Sequence, residues 1–228
     1  MSSLAIHHAL VLTKNLFDAD GVMFYWVNEQ QQTASITDSI NISQEFIDQY
    51  HNGMQDIDPL NVKNFLKSKN TFNSLENCSN RQNQQEISVY QDYISSHGIH
   101  ETFDILFWKN DHAYAGIGVT NPNLKTIHRE EIQALHFFLE QNLLCLQPIQ
   151  KNIIFNYLEE FKLTFREKEV CLYLLKGFNN AEIAKNMKIT VGTVKSNLNR
   201  ILSKLGLNCR LQVAQILNEL FSSTNFQA

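Results

Sequence analysis

Seven side chains between positions 193 and 204 form a dense set of hydrogen-bonding groups and cations: Thr193, Lys195, Ser196, Asn197, Asn199, Arg200 and Lys204. No nucleophile–base pair and no metal-ligand spacing accompanies them, which argues against an enzyme. Short hydroxyls and amides interleaved with long cations are suited instead to phosphate oxygens and base edges. At about 100° per residue, Thr193, Ser196, Asn199, Arg200 and Ser203 fall on or near one side of a helix. Val194, Leu198, Ile201, Leu202 and Leu205 form the opposite, apolar stripe, with Lys195 and Lys204 flanking it. The surrounding stretch, 161–217, holds ten Lys and Arg against three Asp and Glu, in a chain whose net charge is −4. A basic module inside an acidic protein points to a polyanionic partner.

Two shorter helices must position that face. Thr164, followed three residues later by Glu167, is a capping box that starts the first. Val170, Cys171, Leu174 and Leu175 share its apolar side, and Gly177 stops it. Asn179 and Glu182 repeat the cap for a short helix carrying Ile183, Ala184 and Met187. Thr190 then caps the third. Two short helices, a tight connection and a polar, basic third helix describe a helix-turn-helix, whose last element fits a DNA major groove.

The run LTFREKEV…LLKGFNNAEIAKNMKITVGTVKSNLNRILSKLGL, from Leu163 to Leu207, resembles the helix-turn-helix of LuxR-type regulators, shared with NarL/FixJ response regulators. Arg166-Glu167, Glu182-Ile183-Ala184, Thr193-Val194-Lys195 and Lys204-Leu205-Gly206 carry the likeness. The resemblance implies double-stranded DNA as partner. It implies base contacts from Lys195, Ser196 and Asn199, and phosphate contacts from Thr193, Asn197, Arg200 and Lys204. Asn197 replaces the His common in that family. One such helix reads few base pairs, so a homodimer over two half-sites is expected, with RNA polymerase as a further candidate partner.

The remaining sequence is globular in character: 43% hydrophobic, with fifteen Phe and three Pro among 228 residues. No apolar run approaches the roughly 18 residues of a membrane span, and the first twenty residues lack the pattern of a secretory signal. Cys78, Cys145, Cys171 and Cys209 form no CxxC pair and read as free thiols. The expectations are therefore a cytoplasmic chain with no membrane partner, no metal and no cofactor other than a small-molecule signal ligand. Residues 1–148 carry 8 Lys and Arg against 17 Asp and Glu, and residues 149–228 carry 11 against 6. The acidic part should regulate and the basic part should read.

In the acidic part, 4–17 reads as a helix burying Leu4, Val11, Leu12 and Leu16, and VMFYWV as a strand buried on both sides. Thr33 to Ile42 reads as its neighbour. Ser43 starts a short helix that Gly53 breaks, and Asp58-Pro59 opens the next. Residues 76–86 read as an exposed polar loop or helix start, Ile87 to Ser96 as a helix, and 102–120 as a hairpin around Lys109-Asn-Asp-His. Gly116 and Gly118 weaken its second strand but admit a close neighbour or ligand. A long helix spans 125–146. The organisation expected is α+β: an α/β/α sensor sandwich over 1–148, a linker over 149–160, and an all-α helix-turn-helix domain of four helices over 161–228.

FIDQYHNGMQDIDPL and YISSHGIHETFDILFWKNDHAYAGIGV resemble the autoinducer-binding domain of LuxR-type proteins. That likeness implies that Tyr50 and Asp58 hydrogen-bond an acyl-homoserine lactone, Asp58 taking its amide N–H. Phe46 stands where the family usually has a Trp, and Ser74 where it has a second. Phe46, Tyr50, Asp58, Phe72 and Trp108 are the candidate lining of a mixed apolar and polar pocket. The alternatives are a PAS- or GAF-like sensor with another ligand or a protein partner, and a ligand-independent regulator of the same type.

Overall fold

A run as rich in β-branched and aromatic residues as 22–27 has no face suited to water, and it lies inside a sheet. The computed structural model describes residues 2–78, 83–125 and 127–222. In it, strand β1 (Gly21–Asn28) pairs with β2 (Thr33–Ile40) on one side and β5 (His112–Thr120) on the other. Strands β4 (Thr102–Lys109) and β3 (Phe72–Ser74) complete an antiparallel sheet of order β2-β1-β5-β4-β3. The hairpin joining β4 to β5 is tighter than the four-residue polar turn suggested by the sequence. Lys109 pairs with His112, and Asn110 and Asp111 both take positive φ, 49° and 66°. That is the pattern of a two-residue turn whose twist matches its strands.

Strand side chains alternate, so the sheet serves two layers. Met23, Tyr25, Val27 and Leu106 share one core with Phe46, Leu60, Phe65, Tyr90, Tyr93 and Ile94. On the other face Phe103 meets Phe17 at 5.1 Å between ring centroids, and Phe107 stacks on His136 at 5.2 Å. Phe17 follows helix α1 (Ser2–Leu16); His136 belongs to α7 (Arg129–Leu144). Between β2 and β4 the chain forms α2 (Gln44–Gln49), α3 (Gln55–Ile57), α4 (Val62–Ser68), α5 (Leu75–Cys78) and α6 (Gln84–Ser96). Helices on both faces make this unit, Met1–Ile149, an α/β/α sandwich.

Several local expectations are corrected. In α1 the buried residues are Ile6, Ala9, Leu10 and Thr13, while Leu4, Val11 and Leu12 are exposed. The helix carries two apolar stripes, and the buried one tolerates Thr13 because its hydroxyl donates to the Ala9 carbonyl at 2.8 Å. Gly53 does break the helix that starts after Ser43, as expected: beyond α2 the chain kinks at Asn52 and Gly53, the latter with φ +132°, before α3 begins. Asp58-Pro59 opens no helix. Asp58 Oδ1 accepts from the Leu60 N–H at 2.8 Å, and α4 begins after Asn61, whose side chain accepts from the Asn64 N–H. Of the two readings of 76–86, loop or helix start, the helical one holds for the end of α5 and the start of α6, and 79–82 lie outside the described residues. The long helix begins at Arg129, after a His128/Glu131 capping box, instead of at 125; residue 126 lies outside the described residues.

The second unit, Gln150–Ala228, is helical. Residues 149–160, placed as the linker, belong almost entirely to α8 (Gln147–Glu159), whose Ile154 and Leu158 join the core of this unit. Four further helices follow: α9 (Phe165–Leu175), α10 (Asn180–Met187), α11 (Val191–Leu205) and α12 (Arg210–Ser222). Their core is Val170, Cys171, Leu174, Ile183, Met187, Val194, Ile201, Val213 and Leu217. Both capping boxes read from the sequence are present, Thr164 with Glu167 and Asn179 with Glu182. Gly206 ends α11 in the left-handed region at φ +67°. Gly206→Ala is expected to cost about 1 kcal/mol, because a Cβ is strained there; the lowered urea midpoint would measure it.

Candidate nucleic-acid interface and sensor cavity

The tight connection between α10 and α11 is Lys188-Ile189-Thr190. Lys188 turns the chain in the left-handed region, and Thr190 Oγ1 accepts from the Thr193 N–H at 3.0 Å, fixing the start of α11. Val194 and Ile201 anchor this helix, both with no exposed surface. That rotation leaves Thr193, Lys195, Ser196, Asn199, Arg200 and Ser203 exposed along one side. Five of the seven residues singled out in the sequence therefore share an accessible face.

The other two do not. Asn197 is buried, because it lies three residues from Val194 and four from Ile201 on the packed side. Lys204 is engaged within the domain: its ammonium donates to Glu167 Oε2 at 2.6 Å and to the Lys162 carbonyl at 2.9 Å. Glu167 is 1% exposed. Burial alone would raise its pKa, but hydrogen bonds from Lys204 and from Thr164 outweigh that and hold it below the usual carboxylate range. In this structure Asn197 packs inside the unit, and Lys204, although exposed, is engaged by Glu167 and the Lys162 carbonyl.

Ion pairing also sorts the basic residues. Arg166 bonds Glu169, Lys168 pairs with Glu159, and Arg210 reaches the Phe178 carbonyl and Asn180. Lys185, Lys188, Lys195 and Arg200 are exposed and have no acidic partner among the described residues. These four lie on α10, the turn and α11 and so border the exposed side of α11, while Lys162 and Lys176 are likewise exposed with no acidic partner among the described residues. An array of free cations around exposed Ser and Asn can clamp phosphates and present short groups to base edges.

In the first unit, Phe46, Tyr50 and Asp58 come together as expected. The ring centroids of Phe46 and Tyr50 are 6.2 Å apart and nearly parallel, and the Tyr50 hydroxyl donates to Asp58 Oδ2 at 2.9 Å. Together with Met23, Tyr25, Tyr90, Thr102 and Asp104 they enclose a cavity of about 20 Å³. Tyr25 donates to Asp104 Oδ2 at 2.8 Å, and Tyr90 also hydrogen-bonds Asp58. Burial pushes the Asp58 carboxyl up to about 6, against the Leu60, Tyr50 and Tyr90 hydrogen bonds that favour its charge. Burial, and then the neighbouring Asp58 charge, hold Asp104 well above the usual carboxylate range, although Tyr25 opposes this.

Phe72 and Trp108 are not part of this cavity. Phe72 pairs with Ile105, so alternation turns it to the opposite face of the sheet, where Arg129 lies over its ring at 5.9 Å. A register shift at Phe107/Trp108 places Trp108 at the end of β4, where its indole N–H donates to the Asn70 carbonyl. The sequence reading missed Tyr25, Tyr90, Thr102 and Asp104. Their one legible signal was Gly116 and Gly118. A Cβ on Gly116 would overlap the Tyr25 phenol, and one on Gly118 would press on Asp104 Oδ1 and Met23. The close neighbours that these glycines admit are the cavity's own side chains.

Residues 162–217 match the family model described as bacterial regulatory proteins, luxR family. The chain is 48% identical over 50 residues to response regulator protein VraR of Staphylococcus aureus, a stretch covering 22% of this chain and 24% of that protein. VraR of Staphylococcus epidermidis matches to the same extent. The chain thus matches about a quarter of the length of these curated relatives. Among solved structures it is similar to Escherichia coli SdiA, with a TM-score of 0.48 and 17% identity over 98% of this chain and 93% of that one.

Proposed function

Residues 162–217 being a luxR-family helix-turn-helix domain, we propose that this protein is a sequence-specific DNA-binding transcription regulator whose first unit holds a small signal molecule. The observation that carries the DNA reading is the exposed side of α11, bordered by the unpartnered Lys185, Lys188, Lys195 and Arg200. Lys195 is its long-reaching base reader, Ser196 and Asn199 read at close approach, and Thr193 and Arg200 hold phosphates. The regulator acts as a homodimer, since one helix covers too few base pairs. Phe137 and Phe138 of α7 and Leu211 of α12 are among the apolar residues more than half exposed, and they are the ones proposed to meet a second copy. RNA polymerase is the proposed partner at a promoter.

Fluorescence anisotropy with duplex DNA selected from a random-sequence library tests this reading. Lys195→Ala is expected to cost about 1–3 kcal/mol on the selected site and much less on bulk duplex. Equal losses on both would remove Lys195 from the base readers, and salt-independent binding by the unaltered protein would remove the interface itself.

The ligand reading rests on a cavity that gathers two carboxyls, three phenols and the stacked Phe46 in one place. Its closure to about 20 Å³ favours a second reading, a ligand-independent regulator in which Tyr25, Tyr50 and Tyr90 satisfy the carboxyls themselves. Under the first reading the natural signal displaces part of this network, and an acyl-homoserine lactone would direct its amide N–H to Asp58.

A further inference from the structure

The polar atoms of the cavity are unbalanced. Asp58 and Asp104 together present four carboxylate oxygens, and no Lys, Arg or His lines the space. The phenols of Tyr25 and Tyr50 are already used on these oxygens at 2.8 and 2.9 Å. A third group is unused: Thr102 Oγ1 lines the cavity, its residue is 6% exposed, and the oxygen has no hydrogen-bond partner among the described residues. A sealed hydroxyl with nothing to bond is costly. Even with the Leu60 N–H and the Tyr90 phenol also serving Asp58, the four carboxyl oxygens keep acceptor positions unfilled, and ionisation of either carboxyl makes the space negative.

The size of the void narrows the occupant. A volume of about 20 Å³ takes one water-sized group, and a primary ammonium has that size with three donors. Tyr50 also borders a second, outer groove of about 300 Å³, lined mainly by the polar Gln32, Gln55, Asp56, Asn61 and Lys63, with Ala34 and Val62 as its apolar part. Its ring is thus a wall shared by the inner void and the outer groove. That wall stands just after α2, beside the kink at which Gly53 takes φ +132°.

We propose that the inner void receives the ammonium group of a small amine ligand, held by Asp58, Asp104 and Thr102, with the rest of the ligand lying past Tyr50 against Ala34 and Val62 of the outer groove. This rests on the small-molecule reading above and specifies its chemistry. A lactone signal brings carbonyl acceptors and a single amide donor, which leaves the excess of acceptors uncorrected. An ammonium supplies donors to both carboxyls and to the Thr102 oxygen, and replaces the hydrogen bond lost if Tyr50 swings aside. The adjoining Phe46 and Tyr50 rings supply faces that attract a cation.

Amine affinity should also rise with pH, because the carboxylate form is the binder. Asp58, with its pKa raised to about 6, ionises more fully as pH increases through that value. The groups facing it that share this titration are Asp104 and the phenols of Tyr25, Tyr50, Tyr90 and Tyr93.

The test is calorimetric titration of the full-length protein with three probes: 2-phenylethylamine, its neutral isostere 2-phenylethanol, and N-octanoyl-homoserine lactone. The amine is expected to bind at least about tenfold more tightly than the alcohol, the scale of a charged hydrogen-bond pair. Asp104→Asn, which preserves shape, should remove that margin while tryptophan fluorescence shows the fold intact. Thr102→Val should weaken the amine less. Equal affinity for amine and alcohol, or amine binding unchanged by Asp104→Asn, would overturn the proposal. Binding of the lactone alone would also overturn it, while leaving a small-molecule sensor standing. If no probe binds and native mass spectrometry after incubation with cell extract finds no retained small molecule, the amine and the sensor reading fall together.

Discussion

Lys204→Ala is expected to destabilise the helical unit by roughly 2–3 kcal/mol, at the lower edge for a broken buried ion pair because the lysine end remains partly in water. The loss does not come from the lysine itself. It comes from Glu167, which is 1% exposed and would keep a charge with only the Thr164 bonds to offset it. The folded pKa of Glu167 is depressed, so the stability drawn from the pair is fully present above the unfolded glutamate value of 4.5. It is lost as pH falls through the lower folded value. The gap between wild type and variant should therefore be full at neutral pH and narrow in acid. Trp26 and Trp108 both belong to the first unit, so urea unfolding followed by far-UV ellipticity should shift while the tryptophan signal does not. A DNA salt-dependence slope that falls on this substitution, with stability unchanged, would restore Lys204 as a phosphate contact.

Gly116→Ala is the second large effect, expected at about 2–3 kcal/mol from overpacking and a weakened buried hydrogen bond. Gly116 faces the Tyr25 phenol so closely that a methyl group would occupy the space of the ring. The ring cannot retreat without breaking its bond to Asp104, which would then face Asp58 with less compensation. Tryptophan fluorescence reports directly on this unit. A double-mutant cycle with Tyr25→Ala should show coupling of at least about 1 kcal/mol, since the alanine at 116 has room once the ring is gone. Additive losses would mean that the strand, and not the phenol, resists the methyl group.

The parts of this protein legible in its sequence are those written in short spacings. The caps at Thr164, Asn179 and Thr190 bond residues two or three positions on, and each was identifiable from that interval. The stripe of α11 likewise follows from helical geometry. What escaped was set by distant partners. Lys204 meets Glu167 across 37 positions, and Tyr25 meets Asp104 across 79; no local pattern announces either. Asn197 looked exposed because it is polar, although its spacing from Val194 and Ile201 places it inside. Strand β3 is three residues of ordinary composition, Phe-Asn-Ser, and exists because β4 offers it hydrogen-bonding groups. Phe72 was assigned to the cavity by aromatic character, and only the register of that strand shows which way it faces. The stripe on α1 failed for another reason: its helix has two apolar sides, and composition could not say which one meets the sheet.

The Glu167 carboxylate serves two helices at once, closing the cap of α9 through Thr164 and fastening the last turn of α11 through Lys204. Positions 164, 167 and 204 therefore form one heritable unit. A neutral residue at 167 would release the lysine, and a lost lysine would make the acid at 167 a liability that a glutamine could remove. Among descendants of such a chain the three positions should change together, with an apolar residue at 204 accepted chiefly where 167 is no longer acidic.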